Sequence, residues 1–138
     1  MRILLCSFSA AAALGLNAAT YHVAVSGSNA ANGLTLSTAW ATVQHAADMA
    51  IAGDSVLVHP GSYAGFAAMD NSGTANAPIV LMSTGGVVNI TSPCSYNNLD
   101  GINVEDVSWV VIEGFTVVGM PRTGISSVLT DHIRLRGN

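Results

Sequence analysis

The chain has 138 residues, half of them apolar and 9% charged. That content supports one domain with a packed core and excludes long disorder. Four arginines, no lysine and eight acids leave a net charge of −4, which excludes a basic nucleic-acid footprint and a polybasic membrane patch.

The first residues read as a signal peptide. Arg2 is the positive start, and Ile3 to Leu16 is an apolar, alanine-rich run too short to span a bilayer comfortably. Small residues at Ala18 and Ala19 place the expected cleavage, so residues 1–19 are read as leader and 20–138 as the mature domain. The protein is therefore expected outside the cell or on its surface, with no membrane span after cleavage. Cys6 leaves with the leader. Cys94 then stays alone, without an internal disulfide partner, and is expected to be a buried or loop thiol.

Tyr21 to Val25 alternates as a short strand, and Ser26 to Gly33 is turn-rich. Ser37 or Thr38 is expected to cap a helix running to about Ala52. Trp40, Val43, Ala47, Ala50 and Ile51 would share one face of it. Gly53 stops the helix, and Val56-Leu57-Val58 is the next strand.

From here the text repeats. Val56, Ile79, Ile102 and Ile125 are spaced by 23 residues, as are Val58, Leu81, Val104 and Ser127. Val110 and Ile133, and Ile112 and Leu135, take the same step, while Val88 and Ile90 precede Val110 and Ile112 by 22. A fixed period of short alternating strands describes a solenoid whose coils stack like on like. Each coil is expected to hold two strands, with aliphatic side chains about 4.8 Å apart from coil to coil. An antiparallel sandwich would show hairpin turns and no fixed step. The helix would plug the N-terminal end of the column. Ile133 and Leu135 would lie on an uncovered core at the other, so further coils are expected after Asn138.

The residues that punctuate this text resemble the start of the pectate-lyase-like superfamily of right-handed parallel β-helix proteins. Tyr21 to Gly33 resembles its opening strand and glycine-asparagine loop, and Ser37 to Ala47 its first helix. Ala52-Gly53-Asp54-Ser55-Val56-Leu57-Val58-His59-Pro60-Gly61-Ser62-Tyr63 is similar to its first coil strand and turn. Ala75 to Ile79, Trp109 to Phe115 and Arg134 to Asn138 are similar to its later coil steps. The resemblance implies an all-β parallel β-helix. It also implies kinship with extracellular polysaccharide-active proteins, among them lyases of the polysaccharide lyase 9 type, and with adhesin-like scaffolds. An acidic polysaccharide is the implied partner and Ca²⁺ a possible cofactor. The family's catalytic and calcium residues lie on later coils, and none can be carried onto this sequence.

The residues themselves offer only weak candidates. Asp70, Asp100, Glu105, Asp106, Glu113 and Asp131 are the coil acids, with Asp100, Glu105 and Asp106 the densest group. A calcium ion wants about 6–8 oxygen ligands, and the plainer reading of that group is a solvated loop and strand end. Arg134 and Arg136 point outward and suit an acidic sugar, although Glu113, one step earlier, is expected to pair with Arg136. His22, His45, His59 and His132 show no metal-ligand spacing. No serine elbow or phosphate loop is present. Asn89-Ile90-Thr91 is a glycosylation sequon on a coil strand. The segment is expected to lack catalysis by itself. The sugar, the metal and the oligomeric state stay open.

Overall fold

The computed structural model describes residues 17–138. The leader reading, with its Cys6, lies almost wholly outside the described residues. Among the described residues eleven short strands run in three sheets, every strand-to-strand pairing parallel. The first sheet stacks β1 (Thr20–Val23), β2 (Ser55–Val58), β5 (Ile79–Ser83), β8 (Val110–Glu113) and β11 (Arg134–Arg136). The second stacks β3 (Gly61–Ala64), β6 (Val88–Ser92) and β9 (Phe115–Val117), and the third β4 (Phe66–Ala68), β7 (Asp100–Glu105) and β10 (Thr123–Val128). The chain visits the sheets in turn, so each full coil holds three strands. The result is a right-handed parallel β-helix.

The expectation of two strands per coil is corrected here, and so is the ladder drawn from the 23-residue step. Val56 pairs with Leu81, Leu81 with Ile112 and Ile112 with Leu135, steps of 25, 31 and 23 residues. Ile79 pairs with Val110 in the first sheet, whereas Ile102 lies in the third, between Phe66 and Ile125. Val88 and Ile90 stack with Phe115 and Val117, not with Val110 and Ile112. The step of 23 holds for Ile102–Ile125, Val104–Ser127, Ile112–Leu135 and Glu113–Arg136. The earlier coils carry longer loops, so equal spacing there joins residues of different sheets.

Alternation nonetheless places the right side chains inside. Val56, Val58, Val88, Ile90, Ile102, Val104 and Ile112 have no exposed surface, and Phe66 meets Phe115 at 5.7 Å in the middle of the column. Each such aliphatic side chain contributes roughly 1.5–3 kcal/mol by leaving water. The corner between β8 and β9 is one residue, Gly114, with φ 80°. A Cβ there would strike the Ser83 side chain.

The expected long helix is shorter. A 3-10 turn spans Leu36–Thr38, and α1 spans Val43–Met49 with Thr42 as its cap, whose Oγ1 accepts from the His45 amide at 3.2 Å. Trp40 precedes the helix in extended backbone and makes a parallel bridge to Val23; Ile51 lies after the helix and is partly exposed. Trp40 is tied by other means: its Nε1 donates to Ala31 O at 2.9 Å and its ring stacks on Tyr21 at 4.5 Å. The helix does close the column, burying Val43, Ala46 and Ala47. Among the described residues no helix is long and apolar enough to cross a membrane.

Candidate functional site

The outer face of the third sheet, beside α1, carries an open hollow of about 420 Å³ lined by Gln44, Asp48, Ala67, Met69, Asp70, Ser95 and Tyr96. Gln44 forms its floor. Its Oε1 accepts from Ala67 N at 2.7 Å, and its Nε2 donates to Ala67 O at 3.0 Å and to Asp48 Oδ1 at 2.6 Å. The Asp48 and Asp70 carboxylates and the Tyr96 ring are exposed on its rim. Flat ring, carboxylate acceptors and a fixed amide together suit a sugar: hydroxyls donate to the acids and the apolar face lies on the ring.

Further along the third sheet, the acid group expected to be solvated is taken apart. Asp100 is fully buried. Arg122 Nε donates to its Oδ1 at 2.8 Å and Nη2 to its Oδ2 at 2.5 Å, and Asn97 Nδ2 adds a bond at 2.9 Å. The hydrogen bond from Arg122 holds the Asp100 carboxyl below its ordinary range, against the opposing effect of burial. Glu105 accepts from Asn103 at 3.1 Å, and Asp106 is an exposed corner residue with φ 54°. These three acids do not converge. They do not fit a calcium ion, because the buried carboxylate is already committed to a guanidinium. Among the described residues no three His, Cys, Asp or Glu side chains come together as metal ligands.

Two histidines that sequence spacing left scattered do meet. His22 Nδ1 lies 2.9 Å from His59 Nε2, with ring centroids 5.2 Å apart and planes 18° from parallel. One of these two nitrogens donates its N–H and the other accepts, according to the tautomers, so the contact is an imidazole–imidazole hydrogen bond and not a pair of lone pairs converging on a metal. Burial, and then repulsion from His22, lowers the His59 pKa. His132 stacks on Trp109 at 3.8 Å and pairs with Asp131 at 2.8 Å, while His45 meets Trp40 edge-on. Arg136 reaches Glu113 at 3.7 Å, as expected, and Arg134 stands exposed on the first sheet above Val111. Cys94 is a free, buried thiol, and Asn89 sits within β6.

Arg122 and Gln44 had not been singled out in the sequence. Arg122 lies in a loop whose contact with Asp100 depends on two coils stacking in register. Only the 22-residue interval, one short of the last coils' step, hinted at it.

No protein-family model matches the chain, and no curated protein matches it. Among solved structures, a rhamnogalacturonan lyase superposes with a TM-score of 0.59 at 22% identity, over 73% of this chain and 29% of that one. The chain thus spans less than a third of that lyase. At this identity the likeness carries the architecture alone: the two share the parallel β-helix.

Proposed function

We propose that the chain is the N-terminal part of a secreted β-helix protein that binds an extracellular polysaccharide, and that the whole protein cleaves it by β-elimination on coils beyond residue 138. The observation that carries the reading is the third-sheet hollow, where Tyr96, Asp48, Asp70 and the clamped Gln44 amide form a sugar-sized open site. The fold shared with a rhamnogalacturonan lyase supports the choice of chemistry. Such elimination removes a proton beside a carboxylate and needs a base and a positive group at that carbon. The described residues hold no such convergent set, so the part assigned to this segment is holding the chain of sugars. An acidic polysaccharide is the proposed ligand, with one of its neutral sugar units at this hollow, where Asp48 and Asp70 would repel a carboxylate, and the extracellular setting rests on the leader reading of residues 1–19.

The test is affinity electrophoresis of the chain in gels containing rhamnogalacturonan, polygalacturonate or alginate, beside ultraviolet assays for unsaturated products. Retardation by at least one polymer without product is expected from the chain. Product is expected from the full reading frame. Turnover by the 138-residue chain alone would displace the active site from later coils, and mobility unchanged in all three polymers would sink the binding reading.

A further inference from the structure

Where the third sheet passes into the first, successive coils bring Pro78, Trp109 and His132 into line. Ile79 follows Pro78 and pairs with Val110, which follows Trp109. The Trp109 and His132 rings lie 3.8 Å apart and 11° from parallel. Their φ values are 57° and 53°, in the left-handed region where glycine is favoured and a bulky ring is rare. A corner needs no aromatic ring there. Beside the rings runs the outer column Val80, Val111, Arg134 of the first sheet. Ala75, Pro78, Trp109, Val111, His132 and Arg134 enclose a hollow of about 70 Å³. Asp131 Oδ2 lies 2.8 Å from His132 Nδ1, which fixes that ring. Arg134 is exposed, and among the described residues it makes no ion pair, whereas Arg136 pairs with Glu113.

We propose that this hollow is a second glycan subsite, specific for a carboxylated sugar, with the carboxylate on the Arg134 guanidinium and the sugar ring at the rim formed by Trp109 and His132. It rests on the polysaccharide reading for the anion's being part of a glycan. The guanidinium fork matches a carboxylate with two parallel hydrogen bonds. The hollow admits a carboxylate but not a pyranose ring, so the ring stays outside, where the aromatic edge and Val111 offer an apolar surface. The first and third sheets face different directions, so this subsite is separate from the Tyr96 hollow.

The test is NMR titration of the full chain with trigalacturonate and, at equal concentration, with neutral galactotriose. Trigalacturonate moves the Trp109 indole and Arg134 guanidinium signals saturably, and galactotriose leaves them in place. Arg134→Gln, an exposed change that spares the fold, weakens the effect by about tenfold. Trp109→Gly, which retains the left-handed corner without the ring, weakens it as well. Tyr96→Ala leaves these two signals responsive. Wild-type affinity in both Arg134→Gln and Trp109→Gly, or an equal response to galactotriose, overturns the subsite. Trigalacturonate binding that moves other signals but not these overturns the subsite and leaves the polysaccharide reading standing. No response at any signal overturns the subsite, and the polysaccharide reading then falls only if electrophoresis in all three polymers is also negative.

Discussion

At Asp100 one carboxylate carries two demands, burial and charge, and the guanidinium of Arg122 reconciles them. Because the folded carboxyl titrates lower than an unfolded one, the pair stabilises the fold fully above about pH 4. That contribution is lost as the pH falls through the lowered folded value. Urea melts at several acid pH values are expected to show it as a falling midpoint, with the slope flattened in Asp100→Asn. His59 has the opposite sign of charge. Its folded pKa lies below the ordinary histidine value, so its cost sets in as the pH falls through about 6.5. In His22→Asn the repulsion is gone while burial stays. The His59 titration, followed by ring-proton NMR, is expected to move up toward the ordinary value; an unchanged midpoint would leave burial as the sole cause. Neither pairing was legible in the sequence. Asp100 reads like its neighbours Glu105 and Asp106, and the 37-residue step from His22 to His59 means nothing until β1 and β2 are in register.

Elements are held at their ends by single side chains. Gln44 presents its amide to Ala67 as a neighbouring strand would, closing the exposed edge of β4 with an acceptor and a donor. Gln44→Ala leaves the buried Ala67 backbone without either partner, and a loss of about 1–3 kcal/mol in chemical denaturation is expected. Gly114 is the counterpart at a corner. Gly114→Ala meets both a left-handed φ and the Ser83 side chain, and is expected to cost about 1–3 kcal/mol. Strand identity was the most legible layer, because alternation in Val56-Leu57-Val58 or Val110-Val111-Ile112 shows directly which residues turn inward. The helix start was misplaced because Ser37 and Thr38 do lie in a capped turn, but a 3-10 one, and extended backbone at Trp40 separates it from the Thr42 cap.

Across the whole molecule, stability is a sum of contacts between adjacent coils. Ile112 is fully buried between Leu81 and Leu135, while Leu135 is 46% exposed on the last strand. Ile112→Ala is expected to lower the unfolding free energy by about 2–5 kcal/mol, and Leu135→Ala by much less. Equal losses in thermal denaturation would mean that the coils do not stack as described. The solenoid architecture was legible because the last two coils keep one length. The three-sheet cross-section was not, since the longer loops after β4 and after β6 make the step from β4 to β7 36 residues and that from β5 to β8 31, so a fixed step of 23 joins strands of different sheets. The Gln44 amide has one further consequence. It fills the main-chain bonding positions at the head of the third sheet, where Trp40 and Gly33 similarly occupy the outer side of β1. A foreign strand seeking to extend these two sheets finds that terminus already occupied. Recruitment of extra chains by main-chain pairing is thereby refused at the outer edges of β1 and β4.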